Sequence, residues 1–343
     1  MISKNKISKN MSESYRYVRT WVSTFSGSLT LFCLVILTVL PFFSKDLEYT
    51  HYFLPQFILA FIFAIFAASW DLITGIAGQI NFGQAMFFGI GGFITGALLV
   101  DNPGISVHYS IIMGVIVAAI LGLIIGIPSL KLKGPYLMLV TLVFNIILLK
   151  LMAMSTLSFI FRGNLGVFDI PKLSKNPIVE YYILFISTII IFVFLIQLSR
   201  SKFGTVLKSI RDDEMGADAS GINTTRYKLI AFMLSAMIAS IAGIFYALHY
   251  QTVNPSGNFS MGISFTAILM ASLGGIGTIK GSAVGAFFFI FLEYILLELG
   301  FELNLVRILF AIILLCVVRF ASRGILAPIL ENLKDLWDLL LGR

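Results

Sequence analysis

Tyr52-Phe-Leu-Pro-Gln-Phe-Ile-Leu-Ala-Phe-Ile-Phe-Ala-Ile-Phe-Ala-Ala-Ser-Trp-Asp71-Leu-Ile-Thr74 carries one charge, Asp71, close to its end. An α-helix needs about 20 consecutive apolar residues to cross the hydrocarbon of a bilayer. The stretch therefore reads as a transmembrane helix, and the pattern recurs on both sides of it. Upstream lies Gly27 to Phe43. Downstream come roughly Gly78–Val100, His108–Leu130, Gly134–Leu157, Glu180–Ser199, Tyr227–Tyr250, Ile263–Ile279, Gly281–Leu299 and Leu303–Phe320. Over the 343 residues, 58% are hydrophobic, 12% are charged and the mean hydropathy is +0.97. A soluble chain is about a quarter charged. Too few polar side chains exist here to cover a globule, which excludes a soluble enzyme, a disordered chain and a secreted disulfide scaffold. A β-barrel would show short alternating segments in place of long unbroken runs. The expected fold is an all-α integral membrane protein with about ten transmembrane helices. One membrane domain, 27–321, follows a polar segment 1–26 and precedes a polar, partly amphipathic tail 322–343. The first run is expected to remain as a span, because Ser44-Lys45-Asp46 lacks the small residues of a signal-peptide cleavage site.

The net charge is +7, and its placement says more than its sign. Lys and Arg concentrate on the cytoplasmic side of membrane proteins. With ten spans and both termini inside, 18 of the 24 basic residues fall inside and four fall outside: Lys45, Arg162, Lys172 and Lys175. This supports an N-in/C-in topology. Two connections are long, an outer loop from Phe161 to Val179 and an inner one over 200–228. Cys33 and Cys316 each sit in an apolar run and are expected to be small buried side chains.

Glycine marks two interruptions. Asp71-Leu-Ile-Thr-Gly-Ile-Ala-Gly-Gln-Ile-Asn-Phe-Gly-Gln84 joins two spans with three glycines and three amides, Gln79, Asn81 and Gln84. Backbone freed from a helix at membrane depth must be buried in protein or line a watery cavity. The segment is thus either a re-entrant break beside a translocation path or a tight cytoplasmic turn. Asp71, Gln79, Asn81 and Gln84 are the candidate path residues, since an intramembrane acid is costly and amides can serve freed backbone or a polar solute. The second interruption is Leu273-Gly-Gly-Ile-Gly-Thr-Ile-Lys-Gly281. It lacks the Gly-Lys-Ser/Thr of a phosphate loop, so no nucleotide-hydrolysing site is expected. Gly277, Gly281 and Gly285 recur every four residues, as do Ser235, Ala239, Gly243 and Ala247, and both sets are expected to let helices approach closely.

In the inner loop, Phe203, Val206, Leu207 and Ile210 follow helical spacing. They predict an amphipathic helix at the membrane surface, with Lys202, Lys208 and Arg211 near the headgroups. Asp212, Asp213 and Glu214 open a second, short helix by complementing its dipole. Small residues follow, and Gly221 ends it. A helix flanked by caps and poor in hydrophobic surface fits a docking knob for a soluble partner.

Four stretches together resemble a known family. They are Ser69 to Gly92, Lys133-Gly-Pro-Tyr-Leu-Met-Leu-Val-Thr-Leu142, Gly204 to Leu229, and Leu273 to Ala286. In this order they are similar to the permease subunit of branched-chain amino acid (LIV-type) ABC importers, the LivM-like half. The chain departs from the family at Asn81-Phe82, where Ser-Leu is frequent. The resemblance implies a type II importer bundle, like that of the vitamin B12 importer, in the bacterial inner membrane. It implies a second related permease (LivH-like), two cytoplasmic ATPases (LivG/LivF-like) and a periplasmic or lipid-anchored substrate-binding protein. ATP and Mg would bind those ATPases, with no cofactor on this chain. The coupling helix would be Asp212–Gly221, with Asp212, Asp213, Glu214, Met215, Ala217, Ala219 and Gly221 toward the ATPase. Urea or short amides remain an alternative cargo. An ion-coupled secondary transporter is a further alternative, with Lys150, Glu293 and Arg307 as its intramembrane charges. An integral-membrane enzyme would need clustered nucleophiles, bases or metal ligands. His51, His108 and His249 all lie near span ends, so no catalytic residues and no metal site are expected.

Overall fold

A computed structural model describes residues 25–43, 47–132, 134–158 and 162–320. The polar N-terminal segment up to Thr24, Lys133, Phe161 and the tail from Ala321 lie outside these residues. Two units divide the chain, one that includes residues up to Leu54 and one that begins at Pro55. In the first, α1 (Phe25–Phe43) is uncharged and exposes Leu31, Phe32, Val35 and Ile36. Cys33 is exposed as well, which corrects the expectation that it is buried. A helix that turns apolar residues outward gives a small thiol no core to enter. The side chain of Cys316 is not among those described.

The second unit is a helical bundle. Its elements are α2 (Leu47–Asp71, its first residues belonging to the other unit), α3 (Gln84–Asp101), α4 (Val107–Ser129), α5 (Pro135–Ala153) and α6 (Pro177–Arg200). They continue with α7 (Lys202–Asp212), α8 (Glu214–Ala219), α9 (Thr224–Tyr250), α10 (Pro255–Asn258), α11 (Met261–Gly274), α12 (Ile279–Glu298) and α13 (Leu303–Phe320). Among the described residues, eight helical stretches are long and apolar enough to cross a membrane. These are α2 with the turn that follows it, α3 to α6, α9, α10 joined to α11, and α12. Two shorter apolar helices, Ser28–Phe42 and Leu303–Ile313, occupy the first and last expected runs. Every apolar run read from the sequence therefore holds a helix. The β structure among these residues is one isolated bridge, Val167 to Val253.

α2, α3, α9 and α11 form the buried centre, and α4, α5 and α6 turn most of their apolar side chains outward. This is the distribution a lipid-facing bundle requires. α3 and α9 lie side by side because glycine removes the obstacle between them. A Cβ on Gly91 would strike Ser240, one on Gly92 would meet the Gly243 carbonyl, and one on Gly243 would run into the Phe88 carbonyl. The expected Ser235/Ala239/Gly243/Ala247 face is thus the contact face. Aromatic edges join α2, α6 and α12: the Phe61 ring lies 5.3 Å from Tyr181 and 5.4 Å from Phe287, and Phe57 lies 4.7 Å from Phe291.

Of Gly277, Gly281 and Gly285, two lie in α12 and one does not. Gly281 and Gly285 abut Gly274 and Met270 of α11 through backbone. Gly277 lies outside the helix, with φ +83°, in the loop before α12. The sequence period runs on through a loop whose left-handed turns require glycine at 275 and 277.

Candidate functional site

The site is built on two breaks and a knob at one end of the bundle. α2 ends at Asp71, and a π-helical turn, Leu72–Ile76, follows, closed by Ala77 N–H donating to the Leu72 carbonyl at 3.2 Å. Gly78 takes φ +71°, which reverses the chain. The chain then runs back along α2. Trp70 Nε1 donates to the Asn81 carbonyl at 2.7 Å, and Asn81 N–H donates to Thr74 Oγ1 at 3.3 Å. α3 starts only at Gln84, beside Ser69 and Ser235. Ser235 lies about three turns into α9, roughly 16 Å along its axis. The 71–84 segment is therefore re-entrant, and α3 begins six residues later than the apolar run that starts at Gly78.

Hydroxyls and amides satisfy the freed backbone, as burial at this depth demands. Phe82 N–H donates to Thr141 Oγ1 (3.1 Å), Gly83 N–H to Asn81 Oδ1 (2.8 Å) and Ala85 N–H to Ser264 Oγ (2.9 Å). Asn81 Nδ2 donates to Gln84 Oε1 at 2.6 Å. Gln84 Nε2 then bridges Ser69 Oγ (2.8 Å) and Ser235 Oγ (3.0 Å), whose own protons go to the carbonyls of Phe66 and Ser69. Asn81 and Gln84 thus belong to one closed network. Gln79 sits apart, donating to the Ala77 carbonyl at 3.2 Å and lining a cavity of ≈ 160 Å³ with Arg211, Glu214 and Leu137. The network fixes the break, so Gln84→Leu is expected to lower stability by about 2 kcal/mol, because Asn81 and the two serines lose partners without water to replace them. Thermal unfolding of the detergent-solubilised protein measures it. An unchanged midpoint would show that the network carries no such role.

Asp71 is fully buried. Its Oδ1 accepts from Gly277 N–H at 2.6 Å, and Oδ2 has no hydrogen-bond partner. The bond ties the first break to the second, where Thr278 Oγ1 donates to the Gly275 carbonyl at 2.5 Å. The approach is tight. A Cβ on Gly75 would collide with both the Asp71 carboxylate and the Gly277 nitrogen.

The knob consists of α7 and α8. Asp213, in extended conformation, separates them and caps α8 through Oδ1, which accepts from the N–H groups of Met215 (3.1 Å) and Gly216 (3.0 Å). Gly221 ends it at φ +83°, and Asn223 caps α9 by accepting from Arg226 N–H at 3.0 Å. Asp212, Met215 and Ala219 are exposed, Met215 at 76%. Ala217 is buried, so its side chain faces this chain's own interior. It borders a cleft of ≈ 470 Å³ between α7 and α8. Glu214 also turns inward and pairs with Lys228 Nζ at 2.8 Å. Lys228 is 2% exposed and reaches the Leu130 carbonyl at 3.4 Å.

α7 does not present its apolar face to headgroups. Leu207 and Ile210 are buried within the bundle, and Phe203 packs on Tyr227 with ring centres 5.6 Å apart. Lys208 Nζ donates to the Ser199 carbonyl at 3.0 Å, and Arg211 Nη1 to the Gly75 carbonyl at 2.9 Å. The bundle end supplies what the interface was expected to supply. The sequence reading missed Arg211 as a bond to the break and Lys228 as a buried charge. The signal for Lys228 was a lysine entering an apolar run with an acid on the preceding loop.

The opposite end is joined differently. His249 Nδ1 lies 2.8 Å from Glu180 Oε1, linking α9 to α6. Val167 and Val253 exchange backbone hydrogen bonds of 2.8 and 2.9 Å, and Arg162 pairs with Asp101. Among the described residues, no group of three or more His, Cys, Asp or Glu side chains is placed to hold a metal.

These features define a multi-pass α-helical membrane protein with a re-entrant break beside an exposed two-helix knob. Residues 53–318 match the family described as the permease component of branched-chain amino acid transport systems, and the chain belongs to it. It is 26% identical over 249 residues to the high-affinity branched-chain amino acid transport system permease protein LivM of Salmonella typhimurium, covering 64% of this chain and 58% of the relative. A probable LivM of Methanocaldococcus jannaschii is 27% identical over 315 residues, covering 77% of this chain and 90% of the relative. A LivH permease protein of Salmonella typhimurium is 26% identical over 257 residues, with 68% and 82% covered. The chain thus spans less than two thirds of the length of the Salmonella LivM. No solved structure matches it.

Proposed function

We propose that this permease is the LivM-like subunit of an ATP-driven importer of branched-chain amino acids in the bacterial inner membrane. The knob carries the reading. It is capped at Asp213 and Asn223, anchored by Lys228, and presents Asp212, Met215 and Ala219 outward. That design suits a cleft on a soluble ATPase better than it suits a passive connector. ATP and Mg act on the partner ATPases, and this chain supplies the moving pathway. The distribution of basic residues favours a topology with the knob and both ends in the cytoplasm, and the proposed architecture is a type II importer bundle of ten spans. The partners are a LivH-like permease, LivG/LivF-like ATPases and an external binding protein. The names of the relatives support branched-chain amino acids as the cargo. The pathway runs beside the re-entrant break, where Asn81 and Gln84 hold the segment at the bundle centre, Asp71 ties it to the second break and Gln79 lines the cavity beside Arg211.

Met215→Glu tests the docking role. Placing a charge on the most exposed apolar side chain of α8 is expected to weaken co-purification of the ATPases by about tenfold, with membrane insertion unchanged. Undiminished co-purification would refute docking through α8. Uphill uptake by the isolated subunit in vesicles would refute the ATP-driven reading altogether.

A further inference from the structure

The knob and the two breaks meet at one side chain. Arg211 lies in the last turn of α7, two residues before the Asp213 cap. Its stem lies against Gly78, where a Cβ would come within 2.6 Å of Arg211 Cγ and 3.0 Å of its Cα and Cβ. Its guanidinium forks. Nη1 donates to the Gly75 carbonyl at 2.9 Å, and Nε and Nη2 each reach Asp212 Oδ1 at 3.0 Å. The second break lies against the same group, since a Cβ on Gly277 would be 3.2 Å from the Gly75 carbonyl and 3.4 Å from Arg211 Nη1. Asp71 holds the Gly277 N–H from the other side.

We propose that Arg211 is the positioning residue through which displacement of the knob reaches both backbone breaks. The inference rests on the ATP-driven reading above and names its route. A guanidinium is planar, permanently charged and able to donate in several fixed directions, so it holds its targets at set angles. The last turn of α7 cannot shift without carrying Gly75 and Gly78 with it or breaking their contacts. From Gly78 the chain leads within a few residues to Asn81, which donates to Gln84, and Gln84 in turn grips Ser69 and Ser235 at the bundle centre. A motion applied at α8 thus arrives at mid-depth through packed, hydrogen-bonded neighbours, the physical continuity that coupling between sites needs.

The experiment uses the full transporter, this chain with its partner subunits, reconstituted in proteoliposomes. Uptake of labelled leucine and ATP hydrolysis are read from the same sample. Arg211→Ala is expected to lower solute moved per ATP by about tenfold, with the ATPases still bound. A purely structural defect would lower both quantities together and leave their ratio unchanged, so an unchanged ratio overturns the proposal. A second variant covers the case in which Arg211→Ala does not accumulate. Arg211→Lys keeps the stem and the charge but cannot donate in several fixed directions. It is expected to lower the ratio as well, by less than Arg211→Ala. An unchanged ratio in this variant overturns the proposal too. If the wild-type transporter shows no ATP-dependent uptake, the proposed function itself fails and this inference falls with it.

Discussion

A single methyl group at Gly243 is expected to cost the protein about 3 kcal/mol, the upper part of the range for overpacking a close-packed interior. The atom it would strike is the Phe88 carbonyl oxygen, followed by the carbonyl carbon and Cα of the same residue. Backbone cannot rotate away as a flexible side chain can. Two of the central helices, α3 and α9, would have to separate, and the contacts of Gly91 and Gly92 would loosen with them. Gly243→Ala should therefore show a lowered thermal midpoint and a reduced monodisperse fraction on size exclusion in mild detergent. Gly104→Ala is the matched control, because a Cβ there meets nothing within 4 Å. If the two variants behave alike, α3 and α9 do not pack in the way described.

Glu214→Ala is expected to have a comparable or larger effect for a different reason. It leaves the ammonium of Lys228, 2% exposed, without its counter-ion. Breaking a buried pair from one side costs about 3–5 kcal/mol, because the remaining charge stays out of water. Glu214 is itself 24% exposed, which places this pair toward the lower figure. Replacing both partners, Glu214→Leu with Lys228→Met, should recover most of the loss, since no charge is then stranded. The checks are thermal unfolding and the rate of proteolysis in the 200–228 loop. A double variant no more stable than the single would show that Lys228 is not buried by this contact.

The helices were legible in the sequence because hydropathy reports what lipid demands of every span. Their ends were less so. α3 starts at Gln84 and not at Gly78, because Ser69, Thr74, Thr141, Ser235 and Ser264 satisfy an extended segment in its place. Single hydroxyls scattered over four helices and the π-helical turn carry no local pattern. The knob was read well from local chemistry, since caps such as Asp213 and Asn223 act within three residues. Which of its faces is open was not legible. Ala217 and Glu214 turn inward because of Lys228 and the body of the bundle, and those neighbours come from elsewhere in the chain. The same holds for Arg211, whose target carbonyl lies 136 positions away. Gly277 shows the opposite failure, a period that extends beyond the helix it describes.

α9 is a continuous beam of 27 residues, about 40 Å from end to end. One extremity is bolted to α8 through Lys228, and the other to α6 through His249. Because the beam is stiff, tilting it by about 10° around its midpoint would swing each extremity by roughly 3.5 Å, in opposite senses. In the proposed importer, opening on one face and closing on the other would then follow from the pivoting of one lever, with no separate signal between them.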